Sequence, residues 1–479
     1  MVVSWQAIFQ IKSNQQERKN PQAAVAVGMG NSLSTANGGW RLIYASYFSG
    51  MLTKNTANLS LALGAVPSGA LTSAAYANVL SAGSLAYTLG KLFGGSFADW
   101  CGGKNTMVLS HLIMGLSYIG MSTGKPSPKK LTVLWFMSRL VHAALWPSCS
   151  ILHKQLFMGH ERFKSFAALL STSSRLGAFA GSTVGGFLLA RLGVWNRVIG
   201  LAGMYYVGIG VLIATTLKPE NGYKKMVGQA KDTPQPETQE TLETPEEVKE
   251  QEEYTIELRP DGWRRALSDP KLWLVLIGNS LTTPTFELVS LLPQYLSDTV
   301  PSLTTSQVGS LGSLFPLMAV PAVLTGAWLE PQLTPTTRML YYVGGELLTL
   351  LSLRGLAGKP GTLSPTKVGA LLMMTMYGFA PVMYIPPGAF IAKFAGPYTG
   401  SFSGCMDMGG NLLMVLFYRW IPRLKERGGW PLVLKVYSGT ILLSLCSFAG
   451  YFYLERQDPL LESPFERRVK VEKKKRKKQ

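Results

Sequence analysis

A chain of 479 residues in which 47% of side chains are hydrophobic and only 15% charged is too poor in charge for a soluble globular protein, where roughly a quarter of residues are charged. Its formal net charge of +19 does not point to nucleic acid, because the basic residues sit at the margins of apolar stretches and in the terminal run RRVKVEKKKRKKQ, with no aromatics interleaved for base stacking. The composition is that of an integral, multi-pass membrane protein.

In chain order, the segment to Gly39 carries one acidic residue, Glu17, and no long apolar run before a small-residue cleavage site. That pattern does not predict a secretory signal, and it is compatible with a transit peptide. Twelve apolar stretches of roughly 20 residues follow, the length that crosses a hydrocarbon core about 30 Å thick. They fall near 40–62, 73–97, 105–121, 131–157, 165–191, 194–217, 272–296, 307–329, 338–356, 366–391, 399–420 and 430–454. Between Lys218 and Lys271 the composition turns to Glu, Lys, Pro, Thr and Gln, too polar to fold alone, and this linker divides the spans six and six. At its end GWRRALSDPKLW predicts a short amphipathic helix on the membrane face. The basic tail and the linker place both on the cytosolic side, with the N-terminus beside them. The expected organisation is a cytosolic segment 1–39, a six-helix bundle 40–217, a charged cytosolic linker 218–271, a second six-helix bundle 272–454 and a basic cytosolic tail 455–479. Cys101, Cys149, Cys405 and Cys446 have neither metal nor disulfide spacing and are expected to be packing residues; no metal and no cofactor is expected. The sequon at Asn58 falls inside the first span and is expected to be unused.

The halves echo each other. Gly95-x-x-x-Asp99 closes span two, and Gly326-x-x-x-Glu330, followed by Arg338, closes span eight at the equivalent place. Paired repeats of this kind, with a substrate site between them, are the build of carriers that rock one half against the other. The run from Gly95 through Asp99 to Gly102-Gly103-Lys104 resembles the loop signature of the major facilitator superfamily, with Gly103 where that family prefers arginine. Glycines there let helices approach and turn. Asp99, Lys104 and Glu330 are then candidate gate residues, Asp99 accepting hydrogen bonds and a helix dipole from the other half; a plain solvated turn is the alternative. Longer stretches, LAYTLGKLFGGSFAD, LWPSCSILHKQLFMGHER, YGFAPVM and SGCMDMGGN, resemble the organophosphate:phosphate antiporter family, over both halves and most spans. The resemblance implies an all-α membrane protein of twelve transmembrane helices in two pseudo-symmetric six-helix bundles. It also implies exchange of a phosphate ester for inorganic phosphate, with the dianion held between arginines on spans one and seven. Thr53 and Thr285 stand at those two positions here, so the forks that grip phosphate bidentately are missing from them.

Charges inside a bilayer are costly and mark candidate sites. Lys54 and Lys91 match family positions near the cavity. Lys91 is expected to serve as a point charge for an anion, its stem against Leu92 and Phe93, and both lysines have the alternative of snorkelling to the headgroups. Arg175, in STSSRLGAFAG, either faces the cavity and replaces a lost arginine or is satisfied structurally by Ser, Thr and carbonyl neighbours. Arg139 and His142 fit an Arg-x-x-Gln-Gly pattern linked in proton-coupled relatives to proton transfer, with histidine in the Gln place; a helix-interface histidine is the alternative. Glu287, behind Pro284, either carries a coupling proton or neutralises Lys54, Lys91 or Arg175. Asp407 is expected to act as a gate or in helix packing, and Tyr377 and Tyr384 either donate to a substrate or pack.

These features predict a secondary carrier of a small organic anion, organophosphate, sugar phosphate or carboxylate, working as a monomer by exchange or proton coupling, with inorganic phosphate or protons as co-substrate. The rivals are a receptor or scaffold that kept the fold, and a carrier of neutral cargo. An enzyme is not expected, since no His-Glu-x-x-His, carboxylate cluster or nucleotide-binding loop occurs. The terminal Lys475-Arg476-Lys477-Lys478-Gln479 fits retrieval to the endoplasmic reticulum or a lipid anchor. An organelle envelope and the plasma membrane are both compatible with the sequence.

Overall fold

The computed structural model describes residues 26–157, 163–217, 267–358, 361–394 and 399–457, and regular structure among the described residues is entirely helical. The N-terminal segment to residue 25, Glu161, Arg162, the linker to residue 266 with the first part of the expected amphipathic helix, and the tail from residue 458 lie outside the described residues, as do the side chains of Tyr384 and Cys405; the rest of that stretch, from Leu267, runs through Asp269 into the helix that begins at Pro270. The helices are α1 (Ala26–Ser60), α2 (Ser73–Cys101), α3 (Gly103–Ser122), α4 (Pro128–His142), α5 (Leu145–Phe157), α6 (Phe163–Leu192) and α7 (Trp195–Thr216) in the first half. The second half has α8 (Pro270–Glu287), α9 (Leu292–Thr299), α10 (Thr305–Leu329), α11 (Pro335–Leu356), α12 (Pro365–Phe394) and α13 (Thr399–Gln457).

Local chemistry sets the boundaries. Thr72 caps α2 by accepting from the Ala75 amide, Asp269 caps α8 by accepting from Lys271, ahead of Pro270, and Thr304 with Gln307 forms a reciprocal capping box at α10. The α2–α3 corner turns on Gly102, whose φ of +82° suits a residue without Cβ. Two expected spans are broken rods: 131–157 divides at Ala143–Ala144, and 272–296 passes through a 3-10 turn, Leu288–Ser290, before Pro293 opens α9. The last two expected spans, numbered together as α13, are two helices parted at Gly428 and Gly429, whose backbone is not helical.

Among the described residues, five helical stretches, Trp195–Thr216, Pro270–Ser290, Thr305–Leu329, Pro365–Pro387 and Asp407–Gln457, are long and apolar enough to cross a membrane by length and composition. α1, α2 and α6 are as long but rich in Gly, Ser and Thr, because their inner faces pack on helices rather than lipid. Outward-facing Phe93, Leu116, Phe187, Leu351 and Leu443 supply the apolar exterior. Cys446 is on that exterior and so is not the packing residue expected; Cys149 is buried.

Small residues bring the helices together. Gly177, Gly181 and Gly185, one turn apart on α6, lie against Phe48, Leu52 and Thr56 of α1 with no room for a Cβ at the first two. Between the halves, α6 meets α10 where a Cβ built on Gly186 would stand 3.0 Å from the Gly309 Cα. Nearby, Asn58 donates to the Ser290 carbonyl (3.0 Å), and the Tyr76 hydroxyl reaches both Asn58 Oδ1 (2.9 Å) and that same carbonyl (3.0 Å). Ser81 of α2 donates to the Val415 carbonyl of α13 (3.0 Å). The order along α2 is therefore Tyr76 and Ser81 at the closed end, then Tyr87 and Lys91, then exposed Asp99 at the far end.

Candidate functional site

Between the halves, on the Asp99 side of these contacts, lies a cavity of ≈ 270 Å³, at the small end of ligand pockets. Helical spacing explains its lining. Tyr47, Met51 and Lys54 fall on one face of α1, Tyr87 and Lys91 one turn apart on α2, and Arg139 and His142 one turn apart on α4. α5 adds Trp146, and α6 adds Ser171, Thr172, Ser174 and Arg175. From the second half come Thr283, Phe286 and Glu287 of α8, Val320 and Val323 of α10, Met383 of α12, and Asp407 and Asn411 of α13. α8 can present Glu287 there because Pro284 and the 3-10 turn loosen its end.

The charges are arranged across the gap. Lys54 Nζ is 3.9 Å from Glu287 Oε1, and Lys91 Nζ is 2.8 Å from Asp407 Oδ2. In each pair the first half supplies the lysine and the second half the carboxylate. Glu287 also accepts from the Ser290 hydroxyl (3.2 Å) and from the Tyr418 hydroxyl at 3.5 Å. Arg139 Nη1 lies 2.8 Å from His142 Nδ1. An arginine only donates, so Nδ1 accepts and the imidazole proton sits on Nε2, which is buried with no partner. Arg139 covers the Tyr87 ring at 4.6 Å, Lys91 approaches that ring at 5.4 Å, and Arg175 covers Phe286 at 4.3 Å. Tyr47 and Trp146 pack with centroids 5.2 Å apart. Four basic side chains and two carboxylates face the cavity, an excess of two positive charges with His142 neutral.

Lys54, Lys91, Arg139, His142, Arg175, Glu287 and Asp407 are thus brought together. Two expectations need correction. Leu92 and Phe93 are exposed rather than packed on Lys91, since residues one and two positions on point elsewhere on a helix, and Tyr87, one turn back, takes that place. Tyr377 is not in the lining and packs against the core instead. Thr53 and Thr285, at the positions of the resembled family's arginines, are fully buried outside the lining. Lys54, the next residue after Thr53, takes the cavity-facing place on α1. Of the gate candidates, Asp99 is exposed and Lys104 half-buried, away from the cavity, whereas Glu330 is held by Arg338 Nε at 3.1 Å and by the Tyr342 hydroxyl at 2.8 Å. The aromatic residues Tyr47, Tyr87, Trp146 and Phe286 escaped sequence reasoning because aromatics in apolar spans carry no signal of facing. No group of three or more His, Cys, Asp or Glu side chains able to hold a metal occurs among the described residues.

Residues 43–418 match the model of the Major Facilitator Superfamily. An enterobactin exporter of Escherichia coli O81 (strain ED1a) is 25% identical over 301 residues, 61% of this chain and 62% of that protein. The enterobactin exporter of Shigella flexneri is 27% identical over 300 residues, 61% of each. The match therefore spans about three fifths of these relatives' length. Among solved structures, the nucleoside transporter NupG superposes with a TM-score of 0.61 at 12% identity over 86% of this chain and 99% of that one. A bacterial homologue of the human lysosomal transporter Spinster, inward-facing and unoccupied, gives 0.62 at 13% identity over 88% and 96%. A peptide transporter in complex with sulfate gives 0.61 at 14% over 87% and 95%.

Proposed function

The chain belongs to the major facilitator superfamily, and from that premise we propose that it carries a small organic anion with two negative charges by alternating access. The observation that carries this is the charge balance of the cavity: Lys54, Lys91, Arg139 and Arg175 against Glu287 and Asp407, two cations in excess in a small space. A phosphate ester or dicarboxylate supplies the two missing charges, in keeping with the resemblance to organophosphate carriers. Arg139 and Arg175 take over, from α4 and α6, the planar forked donors absent at Thr53 and Thr285.

The mechanism follows from which half holds which sign. In the arrangement seen here the carboxylates Glu287 and Asp407 pair with the lysines, pulling the second half toward the first. An entering dianion competes for Lys54 and Lys91, bridges to the arginines, and releases the carboxylates. The halves are then free to rock, opening the Tyr76, Asn58 and Ser290 contacts and bringing Asp99 toward the other half. Two six-helix bundles, twelve crossings in all, working as a monomer in an organelle or endoplasmic reticulum membrane, with inorganic phosphate as the exchange partner, complete the reading. The relatives' role as exporters favours a second one, outward movement of a larger anion with flat rings, for which the Tyr47–Trp146 pair and Phe286 offer stacking faces.

The test is uptake into liposomes containing the purified protein. Labelled glycerol phosphate, a sugar phosphate, a dicarboxylate and inorganic phosphate are each offered, with and without unlabelled anion inside. At least one is expected to exchange, and Lys91→Ala to stop it. No uptake of any anion, together with thermal stability unchanged by all of them, would overturn the proposal in favour of a scaffold or a neutral cargo.

A further inference from the structure

Outside the cavity, the second half encloses a carboxyl group that the scheme above does not use. Glu346 of α11 is 0% exposed. Its Oε1 lies 3.3 Å from Ser444 Oγ of α13, and its Oε2 is buried with no partner. Among the described residues no cation answers it. From α8 it is faced through Ser444 by Gly278 and Thr282, and α12 packs Gly378 and the Thr375 carbonyl against Gly345 and Thr349 beside it. On its own helix Tyr342 and Arg338 are turned to Glu330, and Arg354 is exposed. Among the described residues, no charged side chain of α12 or α13 meets it, and α8 reaches it only through Ser444.

Counting hydrogens shows what the cluster needs. Ser444 Oγ is within reach of Glu346 Oε1, of Thr282 Oγ1 (2.8 Å) and of the Gly278 carbonyl (3.1 Å), and Thr282 Oγ1 is also 2.8 Å from that carbonyl. Two hydroxyls bring two hydrogens to four short contacts. A carboxylate would add only acceptors, in a place with no cation and no water-facing surface. A carboxylic acid adds the third hydrogen and leaves no buried charge. Thr282 and Gly278 sit on α8, the helix whose next turn carries Thr283, Phe286 and Glu287 into the cavity.

We propose that Glu346 is a proton-binding site within the second half, filled while α8 is seated against α13 and holds Ser444 beside the carboxyl as here, and emptied when α8 shifts. A substrate that breaks the Lys54–Glu287 pair moves α8, separates Thr282 from Ser444, exposes Glu346 to water and lets its proton leave. The oxygen–hydrogen bond of the carboxyl breaks, the proton goes to water and the electron pair stays on the carboxylate. Proton release is thereby tied to substrate movement. The coupling step rests on the transport reading above; the binding site does not.

Two measurements on the reconstituted full-length protein test this. The first is the infrared spectrum at neutral pH. The expected result is a carboxylic-acid carbonyl band that disappears in Glu346→Gln, persists in Glu287→Gln, and shifts in Ser444→Ala. Absence of such a band from the wild-type protein overturns the proposal without reference to any variant. The second is anion accumulation driven by a pH gradient, beside anion-for-anion exchange. Glu346→Gln is expected to lose at least tenfold of the gradient-driven accumulation and keep exchange within twofold. Undiminished gradient-driven accumulation in that variant overturns the coupling. If the wild-type protein shows the band yet moves none of the anions, the transport reading and the coupling fall together, and the proton site stands.

Discussion

Replacing Lys54 with methionine keeps the length of a side chain that is 4% exposed and removes its charge. At 3.9 Å from Glu287 the lost attraction is about 4 kcal/mol at an effective dielectric near 20, and stripping one partner from a buried pair costs about 3–5 kcal/mol. The Ser290 and Tyr418 hydroxyls remain to Glu287, and Arg139 and Arg175 in the same cavity still attract it, so about 3–5 kcal/mol is an upper figure. The penalty has a ceiling, because the stranded carboxylate can take a proton from solution. That ceiling is the work of protonating an ordinary carboxyl, about 4 kcal/mol at pH 7 and about 1 kcal/mol at pH 5. The sign follows: in Lys54→Met the folded state binds one proton more than the unfolded state, so its deficit relative to wild type grows as pH rises from 5 to 7. Glu287→Gln removes the need for that proton, so the double variant should recover most of the loss. The assay is unfolding in mixed micelles by increasing denaturing detergent, run on wild type, both single variants and the double variant at the two pH values. The expected coupling energy at pH 7 is about 2–4 kcal/mol. A coupling below about 0.5 kcal/mol, the noise of additivity, or a Lys54→Met deficit equal at both pH values, would refute the claim that this cross-half pair is a working interaction.

Gly181→Ala puts a Cβ into the Leu52 carbonyl, so α1 and α6 must separate; overpacking of this kind typically costs about 1–3 kcal/mol, and the variant should melt earlier and transport more slowly. Tyr76→Phe removes one hydroxyl that bridges Asn58 and Ser290, about 1 kcal/mol, so the closed end should open roughly fivefold more often, read as faster thiol labelling of a cysteine placed at Ala77, which is buried at that end. Asp99→Ala, at an exposed site with no partner among the described residues, should leave stability within about 0.5 kcal/mol while slowing transport, because Asp99 acts only when that side closes. Stability changed by more than that would show a contact in this conformation that the structure does not contain.

Isolated charges in apolar sequence mark candidate sites because a bilayer penalises any charge without a purpose; Lys54, Lys91, Arg139, Arg175 and Glu287 line one space, and so does Asp407, which was expected as a gate or packing residue. The partners within that set were not legible. Glu287 could equally have met Lys54, Lys91 or Arg175 until helix rotation and depth were known. Tyr377 illustrates the converse, since a tyrosine suits a cavity and a core alike and only packing decides. Glu346 stands in the middle of the expected span 338–356, where the same cost of an intramembrane charge marks it; it was not singled out because no family motif surrounds it, and α11 places it against Ser444. The broken rods at Ala143–Ala144 and Leu288–Ser290 escaped for a similar reason: hydropathy registers how apolar a stretch is and is blind to where its hydrogen-bond ladder lapses.

Where Gly186 touches Gly309 the two halves meet as bare backbone, with no interlocking side chains to unlock before one turns on the other. Such a joint is a bearing, and its lever is α6: Arg175 sits roughly 16 Å along the helix from it at 1.5 Å per residue. A tilt of about 10° there sweeps the guanidinium through roughly 3 Å by that same geometry, comparable to the gap bridged by either cross-half ion pair. A leucine at position 186 would seize the bearing, leaving the anion-binding groups intact and the carrier unable to turn over.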